Sequence, residues 1–147
     1  MIEMVNKNYI NAYKTANNSM NSVKSSHEIV RELMFNLANS MERVFIDISG
    51  FQDDNLQFNN ISKKEIALKK SKNMSKCLSI IYGLQTCLDF DKSPEIAGGL
   101  FQLYEFARQK IIKGFSQKDA VGVKQAIEVI REVLDGWKKI PAEERKL

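Results

Sequence analysis

Proline is nearly absent: in 147 residues only Pro94 and Pro141 occur, so the stretches between them are free to run as long helices. Seven glycines are too few for a sheet protein that turns every ten residues, and no segment alternates apolar and polar residues as a strand would. The single histidine and two cysteines fall short of a metal-ligand set. Cys77 and Cys87 stand ten residues apart on one expected helix, about 15 Å along its axis, beyond the reach of a disulfide. Both read as small apolar residues of a reducing compartment. No apolar run approaches the length of a membrane span, and Met1-Ile2-Glu3-Met4-Val5 has neither the basic start nor the apolar stretch of a signal peptide. The expected location is the cytoplasm, without membrane insertion.

What is present suits one soluble globular domain. Apolar residues make up 44% and charged residues 27%, and the net charge of +4 permits a polyanionic partner without implying one. Residues 1–24 are polar and asparagine-rich, with an apolar island at Tyr9, Ile10 and Tyr13, and read as a flexible N-terminal arm. Ser25 and Glu28, then Ser62 and Glu65, have the spacing of capping boxes. Pro94 after Ser93 marks a third helix start and Asp119 or Ser116 a fourth. The periodicity predicts helices over about 26–48, 63–89, 94–115 and 119–139, with a polar connection over 49–61 and a C-terminal tail at 142–147. Four amphipathic helices with two short connections predict an all-α fold: an antiparallel up-and-down four-helix bundle over residues 25–141.

The last two helices carry more apolar surface than one seam uses. On the third, Ile96, Leu100, Leu103, Ala107 and Ile111 form one stripe, and Ala97, Phe101, Tyr104, Ile112 and Phe115 a second roughly 100° away. On the fourth, Val123, Ile127, Ile130 and Leu134 lie beside Ala126, Val129, Val133, Trp137 and Ile140. Either other parts of the chain cover the second stripes or a partner does; an amphipathic helix is the natural occupant of such a groove. On the groove reading, Phe101, Ile112 and Val129 face the partner while Leu103 and Ile130 are core.

Catalysis finds no support. His27 reads as a surface residue of a helix start, no nucleophile pattern accompanies it, and Asp53-Asp54 and Glu143-Glu144 read as solvated charge. No phosphate loop, dinucleotide fingerprint or calcium loop occurs, so neither an enzyme nor a cofactor is expected. The segment 63–76 holds six lysines against Glu65 but lacks the arginine forks and aromatics of a nucleic-acid site; solvated helix surface is the expectation.

The run Leu88-Asp89-Phe90, Glu95-Ile96-Ala97, Leu100, Leu103-Tyr104 and Phe106, Asp119, and finally Trp137 and Ile140 resembles the FliS family of flagellin export chaperones, as does Ala12-Tyr13 in the arm. The first helix departs from that pattern, with Ser25-Ser26 in place of a serine-proline pair and Glu32-Leu33-Met34-Phe35-Asn36 in place of a methionine-leucine-tyrosine-aspartate-glycine run. The resemblance implies a cytosolic chaperone that binds the C-terminal helices of flagellin, blocks premature polymerisation and delivers its client to a flagellar type III export gate component. The flagellin-binding groove is then expected at Ala97, Phe101, Tyr104, Ile112, Phe115, Val129, Val133 and Trp137, with the arm residues Tyr9, Ile10 and Tyr13 as a competing or contacting element. The alternatives are a helical bundle that binds nucleic acid through 63–76, or a structural bundle that self-associates through its second stripes.

Overall fold

A computed structural model describes residues 25–50 and 62–141. It contains α1 (Ser26–Ser49), α2 (Lys63–Thr86), α3 (Pro94–Gln117) and α4 (Ala120–Lys138), with no strand among the described residues. The expected arm at 1–24, including Tyr9, Ile10 and Tyr13, most of the 49–61 connection and the tail at 142–147 lie outside them.

Each helix starts where local chemistry stops the chain from being extended. Ser25 Oγ accepts the backbone N–H of Glu28 at 3.2 Å, and Ser62 Oγ accepts that of Glu65 at 3.2 Å, so the serine half of both capping boxes is formed. Pro94 opens α3 at a position where a missing N–H costs nothing. Of the two candidate caps for α4, Asp119 acts, accepting the N–H of Gly122 at 3.1 Å.

The ends differ from the expected ones by a few residues. Helix α2 stops at Thr86 rather than 89, because Asp89 turns the chain by accepting the N–H groups of Asp91 and Lys92 at 3.0 and 3.1 Å. Helix α3 runs on to Gln117, and Lys118 takes a left-handed conformation at φ 57° that ends it; α4 is confined to Ala120–Lys138 because Asp119 caps it and Lys139 closes it.

Neighbours in the chain are neighbours in space: α1 packs on α2, α2 on α3, α3 on α4, and α4 returns to α1. His27 near the start of α1 meets Trp137 near the end of α4, and Gly114 late in α3 abuts Val123 early in α4, as antiparallel packing requires. The α3–α4 approach depends on Gly114: a Cβ there would fall inside Val123 Cγ2 and press on Asp119 O at 3.1 Å. The core comprises Leu33, Met34, Leu37, Met41 and Val44 of α1, Cys77, Ile80, Ile81 and Leu84 of α2, Tyr104, Ala107 and Ile111 of α3, and Val123, Ala126, Ile127, Ile130 and Leu134 of α4.

In α4 this seam takes the whole first stripe, Val123, Ile127, Ile130 and Leu134, together with Ala126 and Trp137 of the stripe beside it. In α2 it is made by Cys77, Ile80, Ile81 and Leu84, while Ala67 is exposed and Met74 and Leu78 are half-buried. In α3 the seam runs between the two expected stripes, through Ala97, Tyr104, Ala107, Ile111 and Gly114. Ile96, placed in the core stripe by spacing, is 61% exposed, and Leu103 is half-buried.

Candidate functional site

Antiparallel topology gathers the start of α1, the end of α2, the start of α3 and the end of α4 at one end of the bundle. There the helices enclose a cavity of about 460 Å³. Ile29, Val30 and Leu33 of α1 form one wall, Leu84 of α2 with Cys87 and Leu88 just beyond it a second, and Ile96, Ala97, Leu100 and Tyr104 of α3 a third; Trp137 of α4 closes the base. Ser26, Thr86, Asp89, Lys92 and Ser93 add a polar rim. An aliphatic hollow with a polar edge is suited to the apolar face of an amphipathic segment rather than to bond-making chemistry.

Its base is held by a reciprocal clamp. Trp137 Nε1–H donates to the His27 carbonyl at 2.9 Å, and His27 Nε2 donates to the Trp137 carbonyl at 2.8 Å. The rings stack with centroids 5.0 Å apart and planes 7° from parallel. A carbonyl can only accept, so Nε2 carries the proton. His27 Nδ1 is buried and finds no partner among the described residues. His27 is therefore not the surface residue that its position at a helix start suggested: it is 2% exposed and ties α1 to α4.

The second-stripe residues divide. Ala97, Tyr104 and Trp137 line the cavity and are themselves buried. Phe101 is half-buried at the α2–α3 corner, edge-on to the exposed Phe90 at 6.3 Å. Ile112, Phe115, Val129 and Val133 are half-buried and lie outside the cavity lining. Periodicity missed the α1 and α2 walls altogether, although topology signals them, since an up-and-down bundle brings those helix ends beside the start of α3.

Near the cavity mouth, Glu105 accepts hydrogen bonds from Arg108 and, at 3.0 Å, from Gln85 Nε2, joining α3 to α2. The Arg108 hydrogen bonds, then that of Gln85, lower the Glu105 carboxyl from 4.5 to about 2. Burial raises the Cys77 thiol to about 12 and the cavity-lining Cys87 thiol to about 11, so neither is a thiolate near neutrality. Burial also raises the Tyr104 hydroxyl, with Cys87 adding to the effect. No three His, Cys, Asp or Glu side chains converge as a metal site, and no helix is long and apolar enough to cross a membrane, among the described residues.

A family model described as flagellar protein FliS matches residues 9–144. The flagellar secretion chaperone FliS of Vibrio cholerae is 31% identical over 139 residues, covering 94% of this chain and 92% of that one. FliSB of Pseudomonas aeruginosa, also a flagellar secretion chaperone, is 24% identical over 119 residues, or 81% of this chain and 94% of its own. The flagellar secretion chaperone FliS of Salmonella typhimurium is 27% identical over 120 residues, 79% of this chain and 76% of its own. No solved structure gives a significant match.

Proposed function

The chain belongs to the FliS family of flagellar proteins, and from that premise we propose that it is a cytosolic export chaperone for flagellin, seating an amphipathic C-terminal helix of its client at the cavity end of the bundle. The observation that carries this reading is the aliphatic cavity of about 460 Å³ with Ile96 at its lip, 61% exposed. Covering an aliphatic side chain of that size contributes about 1.5–3 kcal/mol, and a helix laid across Val30, Leu88, Ile96 and Leu100 covers several. Phe90 and Phe101 extend the same surface toward α2.

Masking the client's assembly surface needs no catalysis, because the chaperone and the growing filament compete for it through binding free energies. In this reading the segment that carries Tyr9, Ile10 and Tyr13, which lies outside the described residues, competes for the cavity until client arrives. Delivery to a type III export gate component follows as the step after capture.

Pull-down with flagellins from the same cell, full-length and lacking their C-terminal helices, tests the reading. Retention of the full-length protein alone is expected, and Ile96→Glu should abolish it while leaving the melting transition in place. Equal retention of the truncated flagellin would place client recognition elsewhere.

A further inference from the structure

The positive charge of this protein is concentrated in one half-helix. Between Lys63 and Lys76, six lysines and one glutamate give +5, more than the +4 of the whole chain, so the remainder is slightly acidic. No residue in that half of α2 is buried; its core contribution starts at Cys77. Lys63, Lys64, Lys69, Lys72 and Lys76 make no ion pair among the described residues. Asp47, the carboxylate of α1 nearest this stretch, is engaged by Asn73 Nδ2 at 2.8 Å.

The arrangement is not charge alone. Lys64, Leu68, Lys72 and Lys76 follow one another at four-residue intervals and so form one row along the helix surface, with Lys69 about 100° round from Leu68. Leu68, between Lys64 and Lys72, is 61% exposed. An outward-pointing leucine flanked by ammonium groups is the pattern of a helix that rests on a lipid surface, the apolar chain entering the headgroup layer while the charges meet phosphates.

We propose that the outer half of α2 is a peripheral docking face for an anionic lipid bilayer. Charge complementarity requires an anionic partner, and the chemistry of the face selects among anions. Lysines act as point charges, and with no arginine or aromatic from 63 to 76 the face has neither bidentate forks nor stacking platforms for nucleic acid. The hollow beside it is lined by one aliphatic residue, Ile46, and four polar or charged ones, Arg43, Asp47, Lys69 and Asn73, too little for the apolar face of a helix. A bilayer needs only a ridge of charge with an apolar anchor, and each lysine held near an anionic surface adds to the attraction. This inference is independent of the flagellin reading, because the face lies in the half of α2 remote from the cavity.

Flotation of the full chain with phosphatidylcholine vesicles, with and without phosphatidylglycerol, at low and physiological ionic strength, tests it. Binding should require phosphatidylglycerol and weaken with salt. Replacing Lys64, Lys69, Lys72 and Lys76 together by Gln should lower the affinity by on the order of a hundredfold or more, and Leu68→Ser should lower it severalfold, both with unchanged melting transitions and unchanged flagellin retention. Absence of binding to phosphatidylglycerol vesicles at low salt overturns the proposal, as does undiminished binding by the four-Gln variant. An effect of the lysines with none of Leu68 removes the anchor and with it the choice of a bilayer. A mixed-sequence oligonucleotide bound in preference to the vesicles would give the face to nucleic acid instead.

Discussion

The two ends of the bundle are made of the same four helices and are opposite in character. At one, Leu33, Leu84, Leu100 and Trp137 surround a hollow that the His27–Trp137 clamp keeps from collapsing. At the other, Gly114 lets α3 and α4 close on each other, and α2 presents a lysine-rich face on which Leu68 is exposed. Backbone approach as well as composition separates them. Aliphatic side chains with room between them leave a surface that attracts apolar segments, whereas close backbone approach leaves only charge to present to a partner.

Trp137→Ala should have the largest effect on this asymmetry. Losing a buried ring and its hydrogen bond is expected to cost about 3–5 kcal/mol in urea denaturation, and His27→Ala, which removes a stacked, buried ring and one of the hydrogen bonds to the Trp137 carbonyl, about 1–3 kcal/mol. A cost well below these ranges would mean that the cavity end is held by other contacts. Gly114→Ala probes the tight end: the added methyl must displace Val123, at about 1–3 kcal/mol. A neutral outcome would show that the α3–α4 approach is not limited by that glycine.

Smaller effects sharpen the contrast. Ile96→Glu and Leu68→Ser, one at each end, should each move stability by no more than about 0.5 kcal/mol, because both side chains are already in water. Their binding phenotypes should not overlap, the first losing flagellin and the second lipid. The smallest effect concerns Glu105. Its carboxyl is lowered in the folded state from 4.5 to about 2, so its contribution is fully present above about 4.5 and is lost as pH falls through about 2. Arg108 is partly exposed, which screens the pair and keeps that contribution small. Glu105→Gln should therefore lower the neutral plateau slightly and leave stability below about pH 2 unchanged, flattening the acid limb by the same small amount.

Legibility in the sequence followed the range of the forces involved. Helix starts at Ser25, Ser62, Pro94 and Asp119 were readable because a cap acts within three residues of itself. The first stripe of α4, Val123, Ile127, Ile130 and Leu134, was readable as core because its neighbours cover that face whole, though they reach Ala126 and Trp137 of the second stripe too. Helix α3 carries two adjacent stripes, and periodicity assigns no unique rotation to such a helix. Its seam falls between them, burying Tyr104 and Ala97 and leaving Ile96 in water. His27 was misplaced for a related reason: a first-turn residue is exposed on an isolated helix, and only the end of α4, 110 residues away in sequence, covers it.

By itself, then, the sequence determined the four helices of the described residues, their starts and the lysine-rich segment, since propensity, capping and charge are local properties of the chain. Tertiary structure alone decided how each helix is rotated, where four helix ends leave a hollow, and that Leu68 in the lysine-rich half of α2 stays exposed. Those outcomes depend on how side chains distant in sequence share space, and no single helix contains the volume of its neighbours.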